Sequence, residues 1–349
     1  ADLDYLLENV AIATVADVMD LTEENRILVK QGLEMLKRTS NLGLRALIQC
    51  IGLEGKKIQA YHIGFILAPC LNASGKLDTA KRALALLRAK TEREADMLAG
   101  DLKALNESRR DMTDRVVDEA MAKVEQTDIR GDKVLVIYLP DCHESLAGLV
   151  AGRVRENYYR PVFVLTDSED GVKGSGRSIE SYSMYEELTG CGDLLTKFGG
   201  HPMAAGLSLD KENVEKFKRR LNDQCTLSEE ELTEKVVIDM ELPFAAITEH
   251  FIEELEYMEP FGKGNTKPVF AARGVAMQHV KIIGKNKNVA KATAIDAAGN
   301  RMEAICFHDA QEFAERCERN NGKMSITFYP GINEFRGERQ IQIVITHYR

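Results

Sequence analysis

The sequence predicts an α/β plus β protein: a helical segment, a long connecting helix, an α/β domain and a C-terminal β-barrel. Three observations predict it. Apolar residues recur at helical spacing to about Leu87, and again through a charged, proline-free stretch from Thr91 to about Thr127. A β-branched run, Lys133 to Leu139, is followed by helical spacing over Ser145 to Tyr158 and a second run at Pro161 to Thr166; strand, helix, strand in this order implies a parallel crossover. Beyond Val236, short and often alternating apolar segments dominate.

Taken in order, the first segment breaks at turns near residues 20–22, 41–43, 52–55 and 72–75. It opens at Ala1 with Leu3, Leu6, Leu7 and Val10 in helical register and no start signal, which predicts that the first residue lies inside a larger domain. The long helix carries one narrow stripe (Leu98, Leu102, Leu105, Met112, Val116), as expected of a strut between domains. Strand-like pieces at 171–177 and 204–209 and a helix over 211–225 complete the α/β part, and the charged stretch 228–235 reads as a linker. Strands are expected at 236–240, 269–273, 275–283, 289–295, 301–307, 324–329 and 340–346, a density that fits a small antiparallel barrel of the OB type. The expected domains are 1–90, 91–130, 131–230 and 231–349.

Apolar residues make up 44% and charged residues 29%, a balance that supplies several cores and excludes a disordered chain. No apolar run reaches the length of a membrane span. The seven cysteines are scattered and never spaced Cys-x-x-Cys, so they read as buried hydrophobes in a reducing cytoplasm rather than zinc ligands. A net charge of −9 argues against nucleic acid, but between Pro260 and Arg301 the basic residues Lys263, Lys267, Arg273, Lys281, Lys285, Lys287, Lys291 and Arg301 face a single acid, Asp296. This island is either a solvated face or a binding surface for phosphates.

Four segments carry chemistry. Gly174 to Ser178 (GSGRS) combines small residues, hydroxyls and a guanidinium, as a phosphate-recognition loop does and as a plain hairpin turn with an exposed arginine also does. In Phe198 to Gly206, Gly199 and Gly200 leave room beside the backbone, and His201 is either a donor to a phosphate or base or a satisfied structural histidine. His143 to Arg153 spans a strand-to-helix junction, with His143 near a helix N-terminus and Arg153 facing either the same crevice or water. Asp17 ends an apolar stretch and is a metal ligand only if partner ligands exist, otherwise a cap or surface charge.

Together these segments resemble the RecJ family of the DHH/DHHA1 phosphoesterases over nearly the whole chain, in the family's order. ATVADVMDL is similar to the last motif of the DHH catalytic domain, and LNASGKLDTA to the segment that follows it. The run from His143 to Arg153, then YYRPVFVL, KGSGRSI and FGGHPMAAGLSL, resembles the DHHA1 domain, and EPFGKGNTKPVF the approach to the OB-like domain. The resemblance implies a remnant of the DHH domain over 1–90, a connecting helix over 91–130, a DHHA1 domain over 131–230 and an OB-like nucleic-acid-binding domain over 231–349. It also implies a single-stranded-DNA-specific 5′ to 3′ exonuclease of recombination and repair, with two Mn²⁺ or Mg²⁺ ions in the intact active site, one activating water and the other stabilising the leaving oxygen. Asp17 then matches a metal-binding Asp. Lys76 stands where relatives have Arg, and Ser175 and Arg177 match residues that hold the 5′ phosphate. The implied nucleic-acid set also includes His143, Arg153, Ser178, Gly199, Gly200 and His201, and on the barrel Lys263, Lys281, Lys285 and Lys287.

The sequence departs from the pattern at Ser145-Leu146, where Gly-Val is commoner, and in holding no Asp-His-His. One carboxylate cannot hold two metals, so the chain is expected to bind DNA without cutting it. Its partners are single-stranded DNA and, among repair proteins, a single-strand-binding protein or a helicase, with no membrane. Two other readings fit: a phosphodiesterase for nanoRNA or cyclic dinucleotides, whose relatives generally lack the barrel, and a non-catalytic single-strand-binding module, for which Phe261, Phe270, Phe307, Phe328, Tyr329 and Phe335 offer stacking surfaces if they face outward.

Overall fold

A computed structural model describes residues 6–77, 80–284, 286–307, 309–319, 322–335 and 337–349, without the side chains of 74–77 and 335. In chain order the elements are α1 (Leu7–Ala16), α2 (Glu23–Leu36), α3 (Leu42–Cys50), α4 (Ala60–His62), which runs through a π-helical turn (Ile63–Leu67) into α5 (Ala68–Leu77), α6 (Lys81–Leu87) and the 35-residue α7 (Glu92–Gln126). There follow β1 (Leu135–Tyr138), α8 (Glu144–Tyr158), β2 (Val162–Ser168), β3 (Gly171–Arg177), α9 (Met184–Thr189), β4 (Leu195–His201), β5 (Ala204–Leu209) and α10 (Val214–Gln224). The remainder is β6 (Met240–Glu241), α11 (Glu249–Glu256), β7 (Phe270–Ile283), β8 (Val289–Ile295), β9 (Arg301–Cys306), α12 (Ala310–Arg319), β10 (Lys323–Phe335) and β11 (Glu338–Tyr348).

The chain forms two compact units, one of residues 1–39, 54–68 and 236–349, the other of 40–53 and 69–235. The stretch 1–90, expected as one domain, is therefore divided between them. In the first unit α1 lies close against α2 because Gly32 has no side chain: a Cβ there would stand 2.4 Å from the Leu7 carbonyl oxygen. In the second, Asn41 caps α3 by accepting from the Leu44 N–H, and Thr91 caps α7 in the same way from Glu94.

The second unit is built on a five-stranded sheet in the order β1-β2-β3-β5-β4, with β1 and β2 parallel, as the crossover pattern implies, and the rest antiparallel. Alternation along the strands divides two cores. Leu135, Ile137, Val162 and Val164 meet Ala120 and Val124 of α7 and Val150 and Val154 of α8, while Val136, Phe163 and Leu165 meet Met184, Phe217 and Leu221 on the opposite face. The helices thus form a layer on each side of the sheet.

In the first unit β7-β8-β9-β11-β10 close into a five-stranded barrel, because β10 pairs with both β11 and β7. Strands β9 and β11 are parallel, and α12 lies between β9 and β10 in the chain, its Ala310, Phe313 and Cys317 buried in the barrel core. Closure removes the sheet edges that a barrel of short strands would otherwise expose.

Several expectations need correction. The turn at 72–75 lies within α5. The strand at 236–240 shrinks to two residues paired with β7. The pieces 269–273 and 275–283 are one strand, β7, which tolerates Gly274 at φ 62° and a bulge around His279 at φ 53°. Strand β4 escaped notice because Gly199 and Gly200 weaken its β propensity, and α12 because its apolar residues at i, i+3 and i+7 sit among charges.

Candidate functional site

Cross-strand pairing in the second unit sets three rungs on the sheet face that carries α8. Thr166, Lys173, Ser208 and Lys197 form one rung, Val164, Ser175, Gly206 and Gly199 the next, and Val162, Arg177, Ala204 and His201 the third. Successive residues of a strand point to opposite faces, so Lys173, Ser175 and Arg177 share this side with Lys197, Gly199 and His201. Ser175, Arg177 and His201, distant in sequence, are thereby gathered on one surface.

The outer half of that face is open. Lys197, Gly199, His201 and Gly206 are exposed, and a Cβ built on Gly199 would meet nothing within 4 Å. A groove of ≈ 470 Å³ runs here, lined among others by Ser145, Lys173, Ser175, Lys197, Gly199 and Ser208. That volume falls in the range of ligand clefts. Its floor is small or glycine, and its rim bears hydroxyls, the Lys197 ammonium and a Lys173–Glu144 ion pair at 2.7 Å, which suits a close, hydrogen-bonded approach of a phosphodiester backbone.

The segment 174–178, weighed for its chemistry as a loop or turn, lies as far as Arg177 on strand β3, the strand-like piece expected at 171–177, and its glycines have a packing role. A Cβ at Gly174 would stand 2.4 Å from Leu165 Cδ2, and one at Gly176 2.4 Å from Met184 Sδ, both on the face opposite the groove. Arg177 owes its position to a third glycine: a Cβ at Gly148 of α8 would lie 2.9 Å from Arg177 Nη2, so the guanidinium rests over the helix backbone. Nη1 of Arg177 donates to the Gly176 carbonyl at 2.8 Å. Burial, and then the neighbouring charge of Arg155, lower the Arg177 pKa from its usual value, an electrostatic tension that an anion would relieve.

Other predicted residues fall elsewhere or serve the fold. Ser178 is buried and its hydroxyl donates to the Tyr182 carbonyl at 2.5 Å, so it has no reach to a ligand. His143 is the N-cap of α8, its Nδ1 accepting from the Ser145 N–H at 3.2 Å. Arg153 is exposed, but Gly148, Gly152 and Arg155 share a helical face, and it is Arg155 whose charge acts on Arg177. Gly200, at φ 154°, makes the β4–β5 hairpin, where a Cβ would stand 2.4 Å from the Ala204 carbonyl oxygen. The side chain of Lys76 lies outside the described residues, as does Lys285. Lys173, Lys197 and Ser208 were missed, although the i, i+2, i+4 spacing of Lys173, Ser175 and Arg177, and of Lys197, Gly199 and His201, announces them once both strands are known.

In the first unit, Lys281 is exposed on β7 and Lys287 on the β7–β8 loop. Lys263 precedes the barrel strands and pairs with Asp20 at 2.9 Å. Asp17 is exposed at the C-cap of α1, followed by Val18 at φ 55°, a strained conformation for a β-branched residue of the kind that clusters at functional sites. Among the described residues no three His, Cys, Asp or Glu side chains are grouped to hold a metal ion. Asp17 alone therefore does not fit a two-metal centre.

Comparison with known proteins agrees with this architecture. Residues 131–227 match the DHHA1 domain model and residues 238–347 the RecJ OB domain model. The chain is 35% identical to the single-stranded-DNA-specific exonuclease RecJ of Bacillus subtilis over 346 residues, 98% of this chain and 44% of that protein. It is 33% identical to RecJ of Escherichia coli, covering 99% of this chain and 61% of that one. The crystal structure of RecJ in complex with Mg²⁺ from Thermus thermophilus superposes with a TM-score of 0.83 at 26% identity, over 100% of this chain and 53% of that one; a Mn²⁺ complex of the same protein matches equally well. The chain thus spans about half the length of the relatives it matches.

Proposed function

This chain belongs to the RecJ family, and from that premise we propose that it is the strand-binding part of a single-stranded-DNA-specific 5′ to 3′ exonuclease acting in recombination and repair. The observation that carries the proposal is the single sheet face on which Ser175, Arg177 and His201 converge beside Lys173 and Lys197. Arg177 grips the 5′ phosphate, Ser175 donates to it, and the side-chain-free edge at Gly199 lets the backbone of the strand lie against the sheet, with His201 at its far end. Lys281 and Lys287 of the barrel neutralise further phosphates. Two divalent ions belong to the intact enzyme, to which this chain contributes Asp17. Single-stranded DNA is the partner; a single-strand-binding protein or a helicase is a further one, in the cytoplasm. No helix among the described residues is long and apolar enough to cross a membrane.

Fluorescence anisotropy with a labelled oligodeoxythymidylate tests this. With about four phosphates neutralised, affinity should fall roughly 50-fold between about 50 and 200 mM salt. Preferred binding of a dinucleotide with little response to salt would instead support a small-nucleotide phosphodiesterase. The arginine is tested separately: Arg177→Ala should remove the preference for a 5′-phosphorylated strand over a 5′-hydroxyl one by about tenfold or more, and Arg177→Lys should restore only part, since an ammonium lacks the planar fork. An unchanged preference would remove Arg177 from the phosphate site.

A further inference from the structure

The outer wall of the barrel carries a second feature. Alternation along β9 turns Ala304 and Cys306 into the core, at about 1% exposure, and Ile305 outward. The next residue, Phe307, is therefore outward too, and it is 53% exposed. The other described aromatics of the barrel strands are turned in or covered: Phe270 and Phe328 are buried, the Tyr329 ring is covered by Lys267 at 4.3 Å with Phe261 beside it, and Tyr348 packs edge-on against Phe313. Of the described aromatics in this segment, Tyr257, just after α11, and Phe307, just after β9, are the ones open to solvent, and Phe307 is the one on the barrel wall.

Its surroundings have the chemistry of a nucleic-acid strand. Ala290 pairs with Cys306, so Phe307 falls beside Val289, which pairs in turn with Ile283, itself 40% exposed. One rung away Lys281 stands directly opposite Lys291 across the β7–β8 pair. Like charges in that position destabilise a sheet unless an anion lies between or beside them. Glu303 compensates one of the two, pairing with Lys291 at 2.7 Å, while Lys281 remains exposed. Lys287, on the loop that joins the two strands, adds a third cation. In barrels of this topology the face of the second and third strands and the loop between the first and second receive oligonucleotides, and here those are β8, β9 and the Lys287 loop.

We propose that Phe307 is a base-stacking platform of the barrel, seating one nucleobase of single-stranded DNA on its exposed ring while Lys281 and Lys287 hold the flanking phosphates. This rests on the reading that the chain binds single-stranded DNA and adds the residue by which the barrel distinguishes a strand with bases from a bare polyanion. Stacking is tolerant of sequence because every base has a π face, so the platform would hold a strand without selecting its sequence.

The chain contains no tryptophan, so Phe307→Trp introduces a sole indole at a solvent-exposed position. Titration of this variant with oligodeoxythymidylate should quench the indole emission, whereas an abasic oligonucleotide of equal length and charge should leave it unchanged while anisotropy of a labelled strand reports that it binds. Phe307→Ala should weaken oligodeoxythymidylate binding about tenfold with an unaltered salt slope, and Phe307→Tyr should retain it. Bound oligodeoxythymidylate without quenching, or equal quenching by the abasic strand, overturns the stacking role and leaves strand binding intact. Binding of neither strand overturns the parent reading, and this inference with it.

Discussion

Incubated with labelled single-stranded DNA and Mn²⁺ or Mg²⁺, the chain on its own should leave the strand intact while retaining it in a gel shift. Phosphodiester cleavage of this class needs one ion to generate the nucleophile and another to stabilise the leaving oxygen, and several hard oxygen ligands to hold both. Asp17 is the ligand proposed for this chain, and among the described residues it is not part of a group of three. With the metals unheld, turnover is expected to fall by about a millionfold or more, effectively to background. Asp17→Ala should accordingly leave strand binding by this chain unchanged, since the groove and the barrel wall do not include it. Digestion at a rate comparable to that of a full-length RecJ relative, abolished by chelator, would overturn this expectation.

A second large effect is expected from a methyl group. Gly200→Ala places a Cβ 2.4 Å from the Ala204 carbonyl oxygen and 2.6 Å from the Ala205 Cα, both backbone atoms that cannot turn aside, at a φ of 154° that side chains rarely adopt. The hairpin must distort, at a cost of about 2–4 kcal/mol. Thermal unfolding followed by circular dichroism should show a transition roughly 5–15 °C lower. Because β4 carries Lys197, Gly199 and His201, strand affinity should fall with it. Gly199→Ala is the contrasting variant: its methyl meets nothing within 4 Å, so stability should hold, while the obstructed groove edge should weaken binding. Equal stability of the two variants would show that the hairpin geometry does not depend on Gly200.

Much of the fold was legible because it rests on local periodicity. The 35-residue α7, the β1–α8–β2 crossover and the β11 alternation of Ile341, Ile343 and Ile345 are all visible as spacings of apolar residues. Strand β4 and helix α12 were not, since in each the residues that bury are few and separated by glycine or charge. The resemblance singled out Ser175, Arg177, Gly199 and His201, which the strand register sets on one sheet face. It had no means of separating Ser178, whose hydroxyl is consumed at the Tyr182 carbonyl, from Ser175, which lines the groove.

By itself, then, the sequence determined the kinds of element, their order, and which side chains within one strand share a side, because these follow from dihedral preferences and from periods of about two and 3.6 residues. Only the tertiary structure decided that β5 lies between β3 and β4, which sets Arg177 and His201 in one rung. It likewise decided that Arg155 rather than Arg153 acts on Arg177, and that Phe307 faces solvent while Phe328 does not. Strand order and register are fixed by which surfaces bury one another across long stretches of chain, and no local spacing encodes that.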